Sequence, residues 1–160
     1  MSTCIFPGRF QPFHTGQLLV AKGMVKSCAR PVIVVGHGGA DGANDLFTEE
    51  QVREMISSTL LDENIVDAEI VFVEDKGEDA AWAERVLEAA GSPDDAEVWS
   101  GNPAVLDLFQ KAGVKIKEIK HVPGHDSEEI RALIRAKDSA WRSKVPGGSM
   151  NVIDDAIGTQ

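Results

Sequence analysis

Apolar runs alternate with amphipathic segments along most of the chain. Residues 3–6, 31–36 and 68–73 form short apolar runs that are typical of buried strands. The second run, PVIVVG, is continuous, as expected for a strand that is covered on both faces. Between the first two runs, residues 16–28 repeat apolar positions with helical spacing. The pattern therefore predicts a strand, a helix and a second strand at the start of the chain.

The same alternation continues toward the C-terminus. Thr48 and Gln51 have the spacing of a capping box that opens a helix, and Asp126 and Glu129 repeat it. The remaining predicted elements are helices over 79–90 and 103–112, strands over 97–99 and 114–119, and a helical segment over about 139–157. Strands that alternate with helices of this length predict an α/β fold with a doubly wound parallel sheet. We expect one domain that spans residues 1–160.

The net charge and the hydropathy of the sequence limit the kinds of molecule that the protein is expected to bind. The 160 residues include 26 acidic and 16 basic side chains, which give a net charge of −10. This charge opposes binding to nucleic acid or to an anionic membrane surface. No apolar run approaches the ~18 residues that a membrane span requires, and the first residues lack the pattern of a secretory signal. We expect a soluble, cytoplasmic protein that binds neither nucleic acid nor membrane.

The two cysteines have no spacing that indicates chemistry. Cys4 lies in the first apolar run and Cys28 at the end of the first predicted helix, away from any CxxC or histidine-rich pattern. We expect two reduced, mostly buried thiols. The sequence therefore predicts no metal ligands of the protein's own.

Polar, glycine-containing loops follow four of the predicted strands. In parallel sheets, ligands bind at the carboxyl ends of the strands. The first loop, GRFQPFHTGQ over residues 8–17, leads into a helix N-terminus, where free backbone N–H groups favour phosphate. Arg9 and His14 would add donors, while Gly8 and Gly16 would permit close approach. This loop is therefore a candidate phosphate site.

Two parts of this interpretation have simpler alternatives. Phe10 and Phe13 can be core residues rather than parts of a ligand site. The loop over residues 36–44, GHGGADGAN, can be a flexible connection or a ligand contact, and it fits neither the GxGxxG nor the P-loop spacing. Residues alone leave both questions open.

Several motifs carry a resemblance to a known family. The stretch GRFQPFH, followed by Thr-Gly, resembles the signature of the HxGH nucleotidyltransferases, and the full form is similar to archaeal-type nicotinamide-mononucleotide adenylyltransferases. Over nearly the whole chain, further matches occur in the same order: Phe47-Thr48, Trp82, the SGNP stretch at 100–103, Ser127, Glu129, Ile130, Arg131, Trp141 and Val145-Pro146. The resemblance implies a Rossmann-like nucleotidyltransferase fold.

The resemblance also implies a reaction and a set of site residues. The 5′-phosphate of nicotinamide mononucleotide would attack the α-phosphorus of ATP, with Mg²⁺ on the triphosphate, to give NAD and pyrophosphate. It implies catalytic roles for His14, Arg9 and Arg131. The ATP-binding residues would be Gly8, Arg9, Phe10, His14, Gly16, Gln17, Ser127 and Arg131, and the mononucleotide-binding residues would be Trp82 and Asn102. Without the resemblance, Trp82 reads equally well as a packed helix residue. A homo-oligomer is also implied.

The chain departs from the family pattern at several positions. Gln17 replaces the second histidine of HxGH, and Asp126 and Glu128 replace Ser and Thr near the expected phosphate site. The family arginine after the PFT motif falls on Val52, with Arg53 adjacent, and Gly36-His37-Gly38 replaces a GSA-type stretch. Three hypotheses therefore stand: the adenylyltransferase, a related nucleotidyltransferase with another phosphorylated acceptor, and a non-catalytic nucleotide-binding homologue.

Overall fold

The computed structural model describes residues 2–38, 45–75, 79–120 and 125–158. The chain divides into two compact units. The first comprises Met1–Arg9, Ala21–Asn44 and Asp67–Lys120, and the second comprises Phe10–Val20, Asp45–Val66 and His121–Gln160. Among the described helices, none combines the length and the apolar composition that a membrane-spanning segment needs. The expectation of one domain stays a prediction.

The first unit contains the β-sheet. Its strands are β1 (Thr3–Gly8), β2 (Arg30–His37), β3 (Glu69–Glu74), β4 (Ala96–Ser100) and β5 (Lys115–Glu118). They pair in the order β3-β2-β1-β4-β5, and every pairing is parallel. The predicted parallel α/β fold is therefore confirmed. The four polar loops predicted from the sequence are those that follow β1, β2, β4 and β5.

Helices cover the two faces of this sheet. On one face, α3 (Ala80–Ala89) and α4 (Pro103–Lys111) bury a core with the alternate strand residues Ile5, Val32, Val34 and Val98. On the other face lies α1 (Thr15–Ser27), which belongs to the first unit from Ala21 onward. A Cβ on Gly23 of α1 would be 3.5 Å from the Trp99 ring of β4, an ordinary contact distance, so α1 packs against β4 at this position. The inward-facing strand residues are almost all apolar because both faces are covered.

The expectation of reduced cysteines is wrong for this structure. Cys4 of β1 and Cys28, just after α1, form a disulfide with a Cα–Cα distance of 6.0 Å. The start of β1 and the end of α1 lie at the same end of the sheet, which places the two residues at a separation that suits a disulfide. Sequence spacing did not reveal this pairing, because it depends on how the helix folds back along the strand.

An ion pair joins the first residues of β2 and β3. Arg30 donates from Nε to Glu69 at 2.5 Å and from a second nitrogen at 2.9 Å, and it also donates to the Ala90 carbonyl. The hydrogen bond with Arg30 lowers the pKa of the Glu69 carboxyl and raises that of the guanidinium. Both side chains are substantially exposed, so we expect a small contribution to stability.

The second unit is helical. It contains α2 (Glu49–Asp62), α5 (Ser127–Arg135), a 3₁₀ helix (Ser139–Lys144) and α6 (Gly147–Ile157). The last two make up the helical segment expected over about 139–157. A Cβ on Gly148 would lie 2.6 Å from the backbone nitrogen of Thr59, so α6 packs against α2 at a distance that only glycine permits.

The two predicted helix starts differ in outcome. Thr48 and Gln51 form the reciprocal capping box at the start of α2 that their spacing predicts. Asp126 caps α5 as expected, but its carboxylate accepts from the backbone nitrogen of Glu128 at 2.8 Å and not from that of Glu129. The Asx-type bond to the second residue of the helix replaces the predicted box.

Candidate active site

His14 and Gln17 form a reciprocal pair at the start of α1. The backbone nitrogen of Gln17 donates to His14 Nδ1 at 3.3 Å, and the backbone nitrogen of His14 donates to Gln17 Oε1 at 2.9 Å. Because α1 begins at Thr15, His14 occupies the N-cap position and Gln17 the third helical position. This is the geometry of a capping box in which an imidazole replaces the usual hydroxyl.

The pair determines which ring nitrogen of His14 carries the proton. Nδ1 accepts a hydrogen bond from the helix backbone, so in the neutral ring the proton lies on Nε2. His14 is 7 % exposed and therefore mostly buried. His14 thus lies at the start of a helix, where a phosphate oxygen would be stabilised.

Gly16 makes room for the His14 ring. A Cβ on Gly16 would lie 3.0 Å from His14 Cε1 and 3.1 Å from His14 Nδ1. The glycine of the HTG stretch therefore leaves space for the imidazole, which a larger side chain would have to displace slightly. His125, which the sequence interpretation missed, has its ring centroid 6.4 Å from that of His14. A loop histidine just before a helix cap is the signal that was available for it.

Hydrogen bonds of the Gln11 side chain connect the loop over residues 8–17 to the segment just before α2. Its side chain is buried, accepts from the backbone nitrogens of Leu46 and Phe47 and donates to the Phe47 carbonyl at 2.9 Å. Arg131 of α5 donates to the backbone carbonyl of Gln11 at 2.9 Å. The loop is thus held on two sides, and a half-buried guanidinium borders it.

The two phenylalanines of the loop are buried residues of the second unit. The rings of Phe10 and Phe13 are almost fully buried, with centroids 5.8 Å apart. Phe10 has a φ of 55°, a left-handed conformation that is uncommon for a residue with a side chain. The core alternative is therefore confirmed for both side chains. A contact of the Phe10 backbone with ATP stays a prediction.

In the first unit, Arg9 follows directly after Gly8 at the end of β1. Its guanidinium donates to Asp75 Oδ2 at 2.9 Å and to the Gly38 carbonyl at 3.1 Å. Asp75, the residue after β3, is 6 % exposed. A Cβ on Gly36 would lie 3.3 Å from Asp75 Oδ2, so the glycine at the end of β2 leaves space for this carboxylate.

Asp75 is the second residue that the sequence interpretation missed. The signal was present, because the carboxylate stands immediately after an apolar strand, where ligand-binding side chains cluster in parallel sheets. The Arg9–Asp75 pair means that the arginine has a fixed position before any phosphate arrives. Of the loop over 36–44, only residues 36–38 are described, so its predicted ligand role lies mostly outside the described residues.

Trp82 is part of the core of the first unit. Its ring meets Phe109 edge to face with centroids 5.7 Å apart, and the residue is 5 % exposed. Asp79 caps α3 by accepting from the backbone nitrogen of Trp82 at 2.9 Å. The indole Nε1 is buried and has no hydrogen-bond partner among the described residues. Trp82 is therefore a packed core residue, and its contact with the mononucleotide stays a prediction.

Asn102 caps α4. Its Oδ1 accepts from the backbone nitrogen of Ala104 at 3.0 Å, and its own backbone nitrogen donates to Ser100 Oγ at 3.1 Å. The carboxamide N–H group is not used in this cap, so it can still donate to a ligand. The helix-capping role of Asn102 is therefore compatible with the predicted contact to the mononucleotide.

Two of the remaining departures, Val52 and Asp126, have structural explanations. Val52 is buried in α2, so the position of the family arginine has become a core position, and Arg53 lies on the exposed side. Asp126 is engaged as a helix cap, while Ser127 is the first residue of α5 and Glu128 is exposed. Asp substitutes for Ser as a cap without loss, which accounts for Asp126. Nothing in the structure explains Glu128.

The fold resembles that of proteins whose structures have been solved. Over 95 % of its length, the chain resembles a solved bifunctional NMN adenylyltransferase/ADP ribose pyrophosphatase from Francisella tularensis, complexed with AMP and Mn ion, with a TM-score of 0.68 at 17 % identity. The chain spans 52 % of that protein. No family profile matches the chain. The likeness shows the fold, which is the Rossmann-like fold of the nucleotidyltransferases.

Sequence relatives give the family. The chain is 30 % identical to a nicotinamide-nucleotide adenylyltransferase from Methanolobus tindarius, an alignment that covers 99 % of this chain and 91 % of that protein. It is 31 % identical to one from Haloarcula marismortui, over 94 % of this chain and 80 % of that protein. The chain belongs to the nicotinamide-nucleotide adenylyltransferase family, a family of nucleotidyltransferase enzymes.

Proposed function

We propose that this protein transfers the adenylyl group of ATP to nicotinamide mononucleotide, giving NAD and pyrophosphate. The observation that carries the proposal is the His14–Gln17 box, which holds an Nε2–H donor at a helix N-terminus in a chain of this family. A phosphate oxygen of the mononucleotide would form a bond to the α-phosphorus. The bond from that phosphorus to the bridging oxygen would break, and pyrophosphate would leave.

The chemistry requires positioning and charge stabilisation more than covalent help. In this proposal His14 donates from Nε2 to the phosphates at the reacting centre. Arg131 and Arg9 bind the triphosphate. Arg131 already donates to the backbone carbonyl of Gln11 in the loop, and Asp75 holds Arg9 in place. Charge-assisted hydrogen bonds of this kind are about twice as strong as neutral ones.

The other proposed ATP contacts come from backbone. Gly8, Phe10, Gly16 and Gln17 would contribute main-chain groups around the phosphates, and Ser127 would contribute the first turn of α5. Mg²⁺ would enter as part of the MgATP substrate, where it neutralises charge on the phosphates. The Francisella tularensis protein was solved with AMP and Mn ion, which supports the use of a divalent metal. We assign no residue of this chain as a ligand of that ion.

Trp82 and Asn102 would bind the mononucleotide. The buried Nε1 of Trp82 lacks a partner among the described atoms, and the amide N–H group of Asn102 is not needed for the helix cap. Each residue therefore retains a donor for the substrate. The expected cytoplasmic location and homo-oligomeric assembly stay predictions.

A second candidate function is transfer to a different phosphorylated acceptor. The burial of Val52 at the position of the family arginine favours it, because a cation expected in the site is replaced by a core residue. In that case the acceptor would be a molecule other than nicotinamide mononucleotide, and ATP would still be the adenylyl donor.

Pyrophosphate release tests these alternatives. The purified protein is mixed with MgATP and, in turn, nicotinamide mononucleotide, nicotinic-acid mononucleotide and other phosphorylated acceptors. Release with nicotinamide mononucleotide alone, or fastest with it, supports the proposal, whereas release only with another acceptor supports the second candidate. No release with any acceptor, together with measurable ATP binding, would identify a non-catalytic homologue.

A further inference from the structure

Two sulfur atoms and a carboxylate come together at the amino end of the sheet in the first unit. Cys4 of β1 and Glu97 of β4 are paired in register on neighbouring parallel strands, so their side chains leave the sheet on the same face. Cys28 lies beside them, bonded to Cys4. One potential ligand atom from each of the three residues lies within 4.8 Å of the other two. Within the described ranges, no other group of three cysteine, histidine or acidic residues is this close.

This spacing is close to what a tetrahedral ion needs. Zn²⁺ binds thiolate sulfur at ~2.3 Å and carboxylate oxygen at ~2.0–2.2 Å, which places adjacent ligand atoms roughly 3.5–3.8 Å apart. The three atoms can therefore reach one ion through small side-chain movements once the sulfur–sulfur bond is broken. Two thiolates select a soft or borderline cation over Mg²⁺ or Ca²⁺.

A neighbouring tryptophan orients the carboxylate. Trp99, two residues after Glu97 on the same face of β4, donates from Nε1 to Glu97 Oε1 at 2.9 Å. This bond fixes the carboxylate plane and leaves the second oxygen available to an ion. Outer hydrogen bonds of this type commonly set the orientation of metal ligands.

The site has an entrance. Cys28 and Glu97 line a cleft of about 870 Å³ that also contains Asp94, Asp95 and Lys115. Cys28 and Glu97 are half-buried, whereas Cys4 is fully buried. Three carboxylates and one ammonium group line the cleft, so its charge favours a cation over an anion.

We propose that Cys4, Cys28 and Glu97 form a redox-gated binding site for a soft divalent cation such as Zn²⁺. In the disulfide form the sulfurs carry no negative charge and do not bind the ion. A dithiol reductant donates two electrons, the disulfide opens to two thiols, and the reductant becomes its own disulfide. Ion binding then releases one proton from each thiol, and water from the cleft fills the fourth position. This proposal does not depend on the proposed adenylyl transfer.

Cobalt binding to the whole protein tests the proposal. The protein is reduced with a dithiol, freed of reductant without air, and titrated with Co²⁺. We expect one equivalent to bind with a thiolate-to-cobalt charge-transfer absorption, and Zn²⁺ to displace it. Histidines elsewhere in the chain cannot produce that absorption. The oxidised protein should not show it, and its absence from the reduced protein would overturn the proposal.

Three variants identify the ligands. Cys28→Ser should abolish the absorption, and Glu97→Gln should weaken Co²⁺ affinity about tenfold or more. Asp94→Asn, in the same cleft, is the matched control and should bind like the wild type. An unchanged absorption in Cys28→Ser would overturn the proposal.

Alkylation provides a test that needs no folded variant. Iodoacetamide should modify Cys28 of the reduced wild-type protein at least about tenfold more slowly when Zn²⁺ is bound, because the thiolate electrons are then shared with the ion. Equal rates with and without Zn²⁺ would contradict the assignment.

Discussion

The residues expected to bind phosphate and those expected to bind the mononucleotide are held by the fold in different ways. His14 and Gln17 hold each other, and Arg131 supports the loop through Gln11, so their hydrogen bonds set the geometry of the proposed site. Trp82 and Asn102 instead have complete structural roles, one as a core residue and one as a helix cap. In the first group, the hydrogen bonds that hold the loop also position the groups expected to bind phosphate. In the second group, each residue has one hydrogen-bond donor that its structural role does not use.

This difference determines what a substitution can reveal. Replacing a residue by alanine removes its structural and its functional contribution together, and in both groups the structural part is substantial. A variant that keeps the cap or the packing and removes only the donor separates the two. The predictions for His14, Trp82 and Asn102 below use such a variant.

The largest effect is expected at His14. His14→Asn keeps an N-cap acceptor, because asparagine is among the best N-cap residues, but it removes the Nε2–H donor. Losing a donor to developing charge typically lowers turnover by ~10²–10³. We expect that fall in pyrophosphate release, with a melting temperature close to that of the wild type.

His14→Ala is the companion variant. It should lose the same turnover and in addition about 1 kcal/mol of stability, because the cap is gone. Wild-type turnover in His14→Asn would remove the imidazole from the mechanism and leave it only as a helix cap.

The sequence alone predicted the parallel sheet and most helices, because these depend on local patterns, whereas the phosphate-binding role of the 8–17 loop stays a prediction. The sequence did not predict the disulfide, Asp75 or His125, which depend on distant parts of the chain. Cys4 and Cys28 meet because α1 folds back along β1. Asp75 gains its role from Arg9, which precedes it by 66 residues. Side-chain pairings across the fold leave no periodic signal in the sequence.

Trp82 provides the next largest effect. Trp82→Phe keeps an aromatic ring against Phe109 and breaks no hydrogen bond seen among the described residues. One hydrogen bond from the indole Nε1 is worth ~0.5–1.5 kcal/mol, and about 1.4 kcal/mol corresponds to a tenfold change. We expect the KM for nicotinamide mononucleotide to rise about tenfold and the KM for ATP to change less than about twofold.

Phe109→Leu is the control for packing. It disturbs the same edge-to-face contact but leaves the indole in place. If Phe109→Leu raised the mononucleotide KM as much as Trp82→Phe does, the effect would come from core packing, and Trp82 would belong with the structural residues alone.

Asn102 tests the same distinction with a smaller effect. Asn102→Ser can still accept from the backbone nitrogen of Ala104, but it lacks the amide N–H group. One hydrogen bond is worth ~0.5–1.5 kcal/mol. We therefore expect the mononucleotide KM to rise about threefold to tenfold, with the melting temperature preserved. Asn102→Ala should lower both affinity and melting temperature, and an unchanged KM in Asn102→Ser would assign Asn102 to the cap only.

The smallest effect on turnover is expected at Gln17, where the two roles are hardest to separate. If Gln17 were only a lost second motif histidine, Gln17→His should raise turnover, because an imidazolium donates a charge-assisted bond that an amide cannot. The structure instead gives Gln17 Oε1 a bond from the His14 backbone, which completes the capping box and helps to fix the imidazole. We therefore expect no gain in turnover from Gln17→His at any pH.

We also expect the free energy of unfolding of Gln17→His to be about 1 kcal/mol lower than that of the wild type, which corresponds to roughly 2–4 °C in melting temperature for a chain of this size. Gln17→Glu, which retains the box acceptor, should melt like the wild type. Faster pyrophosphate release by Gln17→His at saturating ATP and mononucleotide would contradict this interpretation and make Gln17 a replaceable substitute in the phosphate site.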